Sequence, residues 1–473
     1  MNRYHNTHHR MLRTSVVFPF LIAVISISAF ASNVGRHLPP ENREMTDAVT
    51  GLPLHVLTTD PASDSKPYQT HTTWTADGKW IVFRSDRGGG SQVYLVNEQT
   101  GDIVQVTDGP ASGTGSPNLS RKTNKLYLMR GGPSWNPVTQ EVEPSTMPRQ
   151  LVELSLDPLI TDAMAGKPKE SAAYERVICT LPEDLRDAGG FALDADETKA
   201  YWGVSWGPQP PRPPRPPAVV RGEPPARRQI DDQNTDPNQS REASRKRFAE
   251  QGKGPGGIRS VDLKTGEIKT VIDVDFRMGH VQTNPWVPGE IIYCHETTGD
   301  GPQRMWIVRG DGTDNRPLYV ETSDEWITHE TVATKDEVMF NIMGHLPYLR
   351  EHPTGIAVIN IRTNQMKLLG QVEDLALNGR GTGGFWHCNG SPEGNWAVGD
   401  TFAGNVYLID RHTGERVLLT TGHRMIPDHT HPIFSPDGRR VAIQSGLLTD
   451  GKSLDLMVID VPTSLLKRYN QGK

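Results

Sequence analysis

The sequence is poor in cysteine, in net positive charge and in long apolar runs. It has three cysteines in 473 residues, Cys179, Cys294 and Cys388, and the odd number leaves at least one unpaired, which excludes a scaffold held together by disulfides. None of the three has the spacing of a zinc knuckle, so we expect small, buried, apolar side chains. The net charge of −6 provides no overall positive field, and no nucleic-acid partner is predicted.

One apolar run is present, near the N-terminus, and it has the organisation of an export signal. Three arginines precede the run 16–30, and an A-x-A cleavage pattern ends at Ala31. The run is shorter than the roughly 20 apolar residues of a membrane span, although an uncleaved anchor is the alternative. We predict that residues 1–31 are a signal peptide, that the protein is exported to the periplasm or secreted, and that no membrane contact remains after cleavage.

Glycine and proline are abundant, with 46 and 37 residues, and short strands rich in Val, Ile, Tyr and Trp alternate with turns. One strand–turn–strand pattern recurs in HTTWTADGKWIVFRS (71–85), WHCNGSPEGNWAVGD (386–400) and HTHPIFSPDGRRVAIQS (429–445). Repetition of four antiparallel strands predicts an all-β, seven-bladed β-propeller. We place the starts of its blades near His71, Ser116, Gly190, His280, His329, His387 and His431. The segment LPLHVLTT (52–59) is expected to complete the last blade, which closes the ring and removes a free sheet edge.

The segment 207–257 interrupts the third blade. It is rich in proline and then in charged residues, and it lacks the apolar content to form a core of its own. We predict a long, disordered, Pro-rich insertion within a single propeller domain that spans residues 32–473. A surface insertion without a specific role is favoured over a binding arm.

Several histidines fall at one structural position, the start of the innermost strand. Counting back from the turn of each first hairpin places a histidine there in five blades: His71, His280, His329, His387 and His431. Innermost strands line the axis of a propeller, so these side chains are expected to gather at one mouth of the central channel. His429 lies two residues before His431 and therefore on the same face of an extended strand. Polar lining of a wet channel is one interpretation. We favour a metal or catalytic site, since three neutral imidazoles with an open position suit a divalent ion.

Five motifs resemble those of the oligogalacturonate lyases, which are seven-bladed propellers of pectin breakdown. They are HVQTNPWVPGEIIYCHE (280–296), QRMWIVRGDG (303–312), THE (328–330), WHCNGSPEGNWAVGD (386–400) and HTHPIFSPDG (429–438). The resemblance is clear over residues 270–445 and extends to the rest of the chain through the repeats. It implies a propeller that cleaves short oligogalacturonides.

The resemblance also implies roles for particular residues. His387, His429 and His431 would hold a divalent metal, which is manganese in the family. His329 would be the general base, and Arg304 would be its cationic neighbour. In β-elimination the base removes the proton at C5 of a uronate, and the oxygen at C4 is expelled, so a metal and a guanidinium that neutralise the carboxylate suit this reaction.

Three further histidines, His280, His295 and His71, are predicted substrate contacts, with polar lining of the channel as an equal alternative. The sequence departs from the family in two of its motifs. The family has a glutamine ligand three residues before the first histidine of H-x-H, where this chain has Ile426, so water or a shifted Asp428 is expected in its place. The H-E-G-P of the family is H-E-T-T here.

Together these observations predict an exported, metal-dependent lyase that cleaves oligogalacturonides or related oligouronides by β-elimination, with Mn²⁺ as the expected ion. Two alternatives come from other classes. One is a non-enzymatic periplasmic propeller that acts as a binding or scaffold protein. The other is a lyase for another uronate polysaccharide. The sequence predicts no oligomeric state.

Overall fold

The repeated strand–turn–strand units form the blades of a seven-bladed β-propeller, as the sequence predicts. The computed structural model describes residues 1, 32–109, 117–132, 134–136, 141–143, 147–207, 237–297, 299, 301, 303–322, 325–342, 355–372 and 384–469. Paired strands run antiparallel throughout each blade. Apart from residue 1, the predicted signal peptide lies outside the described residues.

The first four blades follow the chain in order. Blade 1 contains the strands His37–Leu38, Asp64–Ser65, Trp80–Ser85, Gln92–Asn97 and Ile103–Gln105. Blade 2 contains Asn118–Leu119, Lys125–Arg130, Gln150–Ser155 and Glu175–Thr180. Blade 3 contains Arg186–Leu193, Lys199–Ser205, Lys253–Asp262 and Ile268–Phe276. Blade 4 contains Met278–Thr283, Glu290–His295, Met305–Arg309 and Arg316–Pro317.

The last three blades complete the ring. Blade 5 contains Ile327–Thr334, Glu337–Ile342, Gly355–Asn360 and Met366–Gly370. Blade 6 contains Phe385–Gly390, Trp396–Thr401, Val406–Asp410 and Arg416–Thr420. Blade 7 contains Ile433–Phe434, Arg440–Ser445, Asp455–Asp460, Pro53–Val56 and Arg43–Thr46.

Little else in the described chain is regular. A small hairpin joins Ser134–Asn136 to Glu141–Glu143. The helices are Leu156–Met164, Pro237–Gln251 and Thr463–Leu466, with a 3₁₀ turn at Ser171–Ala173. Among the described residues, no helix has both the length and the apolar character needed to cross a membrane.

The ring closes by pairing the two ends of the propeller. The strand Pro53–Val56 runs antiparallel to the third strand of blade 7, with Leu54 opposite Ile459. Both residues are fully buried. This pairing confirms the closure predicted from the segment LPLHVLTT, and the preceding strand Arg43–Thr46 extends the blade to five strands.

The apolar core is divided among clusters that lie between and within neighbouring blades. Val82 and Leu95 of blade 1, for example, share a cluster with Leu126 and Val152 of blade 2. The three cysteines are unpaired and buried, as expected for small apolar side chains. Packing of blade against blade therefore fixes where each inner strand meets the axis.

The Pro-rich insertion lies where the sequence places it, between the second and third strands of blade 3. Its residues 208–236 are outside the described part of the chain. The expected disorder is wrong for the rest, because Pro237–Gln251 forms a helix and the next strand begins at Lys253. The sequence REASRKRFAEQ within that helix consists largely of good helix formers, which explains the ordered segment.

Candidate active site

A kink at the start of the inner strand recurs in the blades that carry the histidines. His280, His329 and His431 have φ angles of 48°, 56° and 46°, in the left-handed region that side chains other than glycine rarely adopt. The ladders of blades 4, 5 and 6 also shift register at His280, His329 and the residue before His387. Such bulges re-aim side chains and cluster near functional sites. The shared conformation shows that these positions are structurally equivalent.

His387 lies at the centre of a histidine cluster. Its ring centroid is 3.9 Å from that of His431, 5.3 Å from that of His429 and 4.3 Å from that of His329. Its side chain is 2% exposed. The structure thus brings together the three residues predicted to bind a metal and the residue predicted to act as base, from blades 5, 6 and 7.

Asp400 lies beneath the cluster and was not identified from the sequence. It is fully buried and accepts hydrogen bonds from the backbone amides of His387 and His431 and from the Thr430 hydroxyl, at 2.8, 3.2 and 2.8 Å. Both of its oxygens lie 3.2 Å from Nδ1 of His387. A carboxylate in this position fixes the tautomer with a proton on Nδ1, which leaves the Nε2 lone pair of His387 for a ligand.

The other two predicted ligands lie on the segment that leads into the inner strand of blade 7. His431 is held on both sides, with Nδ1 3.0 Å from Oε1 of Gln69 and Nε2 3.2 Å from Oδ1 of Asp428. Nδ1 of His429 is buried and has no hydrogen-bond partner among the described residues. A buried imidazole nitrogen without a hydrogen-bond partner, beside two further imidazoles, is suited to bind a metal.

The donor set fits a divalent cation. Burial, together with the neighbouring His431 and His429, lowers the pKa of His387 well below its ordinary value, and burial also lowers the pKa of His429. Both rings are therefore neutral at pH 7, as metal ligands must be. Ligand atoms of His387, His429 and Asp400 all lie within 4.8 Å of one another. Asp400 is the weakest of these candidates, because its oxygens already accept four contacts from the protein.

His329 has the environment of a neutral base. Its ring lies 4.5 Å from that of Trp386, and the side chain is nearly buried. Burial, with the charges of His387 and Arg304 adding to it, lowers the pKa of His329 well below its ordinary value. Nδ1 is buried without a hydrogen-bond partner among the described residues.

Arg304 lies in a buried ion pair that the sequence did not predict. Its Nε donates to Oε2 of Glu330 at 3.0 Å, and one Nη lies 3.8 Å from Oε2 of Glu296. Glu330 also lies 3.3 Å from Nδ1 of His280. Although burial opposes both charges, Arg304 and His280 lower the pKa of Glu330, and Glu330 and Glu296 hold the pKa of Arg304 well above its ordinary value.

Comparison with known proteins finds oligogalacturonate lyases among the similar sequences. No family model matches the chain. The chain is 23% identical over 454 residues to the oligogalacturonide lyase of Pectobacterium atrosepticum and 22% identical over 456 residues to the oligogalacturonate lyase of Dickeya dadantii. Each alignment covers 91% of this chain and 99% of the relative.

Two solved oligogalacturonate lyases have the same fold as this chain. An oligogalacturonate lyase in complex with manganese has a TM-score of 0.67 at 20% identity, with 92% of this chain and 100% of the other covered. The oligogalacturonate lyase of Vibrio parahaemolyticus has a TM-score of 0.65 at 19% identity, with 91% and 99% covered. The chain resembles the oligogalacturonate lyases in both sequence and fold. At these identities the structures establish the propeller, whereas the roles of residues depend on the site itself.

Ile426 occupies the position where the resemblance predicts a glutamine ligand. It is 39% exposed and packs beside Gly451, and its side chain has no donor atom. Asp428 is the residue that reaches the cluster instead, through its contact with His431. Although burial opposes it, the His431 hydrogen bond and charge and the amide of His429 lower the pKa of Asp428, so the group is ionised.

Of the three predicted substrate contacts, the structure brings only His280 to the cluster. His295 packs on Phe276 with ring centroids 4.6 Å apart, and its Nε2 bonds to the carbonyl of Gly252. His71 bonds to the carbonyl of Phe191 and lines a separate cavity of about 280 Å³ along the channel.

Blade 1 presents Tyr68 to the cluster instead of His71. Its ring meets those of His280, His431 and His387 edge-on, at 5.2, 5.2 and 6.0 Å. The reason is a break in the inner strand of this blade. Its pairing with the second strand stops after Ser65 and resumes at Trp74. The intervening residues form a loop that carries Tyr68 and Gln69 towards the axis, and no periodicity in the sequence indicates such a loop.

Proposed function

We propose that this protein is a metal-dependent lyase that cleaves short oligogalacturonides by β-elimination. The observation that carries the proposal is the clustering of His387, His429 and His431, whose ring centroids lie 3.9, 5.3 and 6.4 Å apart, with the ring of His329 4.3 Å from that of His387. The lyases that this chain resembles support the reaction class, and one of them is solved in complex with manganese.

The metal would be held by the imidazoles of His387, His429 and His431, and we propose the Asp428 carboxylate as the fourth protein ligand. The contact of 3.2 Å between Asp428 Oδ1 and His431 Nε2 brings two donor atoms to adjacent positions around one ion. When bound, a divalent ion supplies Lewis-acid chemistry, which neutralises the uronate carboxylate as charge accumulates on it.

His329 takes the proton from C5 of the uronate at Nε2. It is suited to this because it is neutral, and because Trp386 and the neighbouring strands fix its ring. A positioned base contributes a rate increase of about 10² to 10⁴-fold.

Arg304 orients the substrate carboxylate beside the base. Its Nε is occupied by Glu330. Within the part of the chain that the structure describes, the terminal nitrogens have only the long contact to Glu296, so this end of the guanidinium is the part that can receive a carboxylate. The buried Glu330 holds the guanidinium at a fixed angle, and it also fixes His280.

The proposal is tested by incubating the protein with Mn²⁺ and di- or trigalacturonate and following the ultraviolet absorbance of the unsaturated uronate. His329→Ala is expected to abolish product while circular dichroism shows an intact fold. His412→Ala is the matched control, because His412 is an exposed histidine that bonds to Asn395 away from the cluster. Absence of product from the unaltered protein contradicts the proposed function, and full activity of His329→Ala removes the base. A panel of other oligouronides separates this substrate from related polysaccharides.

We also propose export, on the basis of the charged and apolar pattern of residues 1–31. Fractionation of cells that express the full chain, followed by N-terminal sequencing of the mature protein, tests it. A mature N-terminus at Ser32 in the periplasm or medium is the expected result, and an unprocessed chain in the cytosol contradicts it.

A further inference from the structure

Two basic residues of blade 1, Lys66 and Arg84, lie beside the histidine cluster and have no role in the mechanism described above. Arg84 is opposite Ser65 in the ladder between the first two strands of the blade, so Lys66 follows directly. Lys66 is 2% exposed, and burial lowers its pKa to about 7. Arg84 is partly exposed and keeps its charge, since a guanidinium does not deprotonate at any working pH.

No acid among the described residues forms an ion pair with the guanidinium of Arg84. Its Nη2 makes one long hydrogen bond of 3.4 Å, to the carbonyl of Lys66, and its Nε is buried without any hydrogen-bond partner among the described residues. Three residues further on, Arg87 bonds to Glu41 and Asp64 at 2.6 Å each. Partly buried arginines are normally satisfied as Arg87 is, so the unmet donors of Arg84 require an explanation.

In blades 6 and 7, which come before blade 1 around the ring, the residue at the position equivalent to Arg84 supports the histidine cluster. Arg84, Asp400 and Gln444 are each the penultimate residue of the second strand, in blades 1, 6 and 7. Asp400 supports His387, and Gln444 donates to Oδ2 of Asp428 and to the carbonyl of His429. Arg84 therefore lies at the same depth along the propeller axis as Asp400 and Gln444, but blade 1 has no histidine at this depth for it to support.

A series of hydrogen bonds connects Arg84 to the proposed metal ligands. From Arg84 the series runs through the Lys66 carbonyl, from the Lys66 amide to Gln444 at 3.2 Å, and from Gln444 to Asp428 at 3.0 Å. Asp428 then meets His431 at 3.2 Å. Burial lowers the pKa of Arg84, and the charge of Asp428 acts in the opposite direction.

We propose that Arg84 binds a second carboxylate of the substrate, on the uronate unit next to the one that loses its C5 proton. This inference rests on the proposed function. Each unit of an oligogalacturonide carries one carboxylate, and in the proposed function Arg304 and a bound metal would engage that of the reacting unit. The fork of an unpaired guanidinium matches a carboxylate in two parallel hydrogen bonds. The substrate class selected is thus an oligouronide with at least two acidic units.

The test compares ligands with one and two carboxylates. Binding of galacturonate and digalacturonate is measured by calorimetry on the Mn²⁺-loaded His329→Ala protein, which prevents turnover. Adding Arg84→Gln is expected to weaken the binding of digalacturonate about 10- to 100-fold, because hydrogen bonds to a charged group are lost. The binding of galacturonate is expected to weaken less than about twofold, because this ligand has no second carboxylate. Arg84→Lys is expected to fall between. Arg36→Gln, an exposed arginine at the outer edge of the same blade, is the control and is expected to change neither affinity.

The outcomes separate three explanations. Unchanged digalacturonate affinity in Arg84→Gln, or equal losses for both sugars, overturns the inference while the proposed function stands. Failure of the His329→Ala parent to bind either sugar overturns both. Because Arg84 also contacts the loop that carries Gln69, Mn²⁺ affinity is measured in parallel, and it is expected to be unchanged. A matching loss of Mn²⁺ affinity assigns Arg84 to loop support and overturns substrate contact.

Discussion

Replacement of Asp400 by asparagine tests whether the carboxylate beneath the cluster prepares it for a metal. Asp400 is fully buried and accepts from the amides of His387 and His431 and from Thr430. Asparagine has nearly the same shape, but one of its two polar ends is a donor. One set of the surrounding donors must then face an NH₂ group, whichever way the amide turns.

The magnitude follows from these contacts. Turned with its oxygen towards His387, the amide leaves the His431 N–H without an acceptor, which costs about 1–3 kcal/mol, while the Thr430 hydroxyl can rotate to accept. The bonds that remain lose the strengthening effect of a charged acceptor, about 1 kcal/mol each. We expect the free energy of unfolding to fall by about 3 kcal/mol. We also expect Mn²⁺ affinity to fall about 10- to 100-fold, as is usual when the partner of a metal-binding histidine is removed.

Titration calorimetry with Mn²⁺ and urea unfolding measure the two effects separately. Asp410→Asn is the matched control, because Asp410 is a fully buried carboxylate of the same blade that accepts from Tyr469 and Arg468. It is expected to lose stability and to keep its Mn²⁺ affinity. Equal Mn²⁺ affinity in Asp400→Asn and the unaltered protein would refute the reasoning, because the orientation of His387 would then not depend on Asp400.

Two further predictions concern stability. Burial and the charge of Asp64 raise the pKa of Asp455 to about 7, and the pKa of Asp64 is about 6. The folded state therefore keeps protons that the unfolded chain releases near pH 4, so the free energy of unfolding should fall as pH rises from about 4 to about 7, by at most about 1.4 kcal/mol per pH unit for each group, and should level off above pH 7. Asp455→Asn should flatten this slope in urea titrations at pH 5 and 8, and an unchanged slope contradicts the assignment. Leu54→Ala should cost about 2–5 kcal/mol, since Leu54 is fully buried in the closing strand, whereas Val49→Ala, 69% exposed, should be near neutral.

The ring and its closure could be predicted because each blade carries its own signals. Turn residues and alternating strands mark the hairpins, and a propeller needs a partner for the third strand of its last blade. Counting back from the hairpin turn also indicated that His280, His329 and His431 occupy equivalent positions, and the positive φ that the three residues share confirms it. Export and the roles of the site residues stay predictions.

The same count was wrong for His71, because it assumes that the inner strand is continuous up to the hairpin turn. Blade 1 departs from the repeat between Ser65 and Trp74, and the departure replaces a histidine by Tyr68 at the axis. Asp400, in contrast, could have been found. It is a carboxylate at the end of a buried strand in the motif WHCNGSPEGNWAVGD, where an acidic side chain needs a partner to be tolerated.

The charges around the cluster explain why an anionic ligand suits it once a metal is present. The acids nearest the histidines already have donors, since backbone amides hold Asp400, Arg304 holds Glu330, and His431 and Gln444 hold Asp428. The imidazoles of His387, His429 and His329 are neutral, because burial disfavours their charged forms. A uronate carboxylate therefore meets no strong attraction from the histidines themselves. In the proposed function, the attraction would come from the ion that these histidines are proposed to hold and from guanidinium groups at the two sides, Arg304 on blade 4 and Arg84 on blade 1. The sugar chain is then expected to lie across the mouth of the propeller between them.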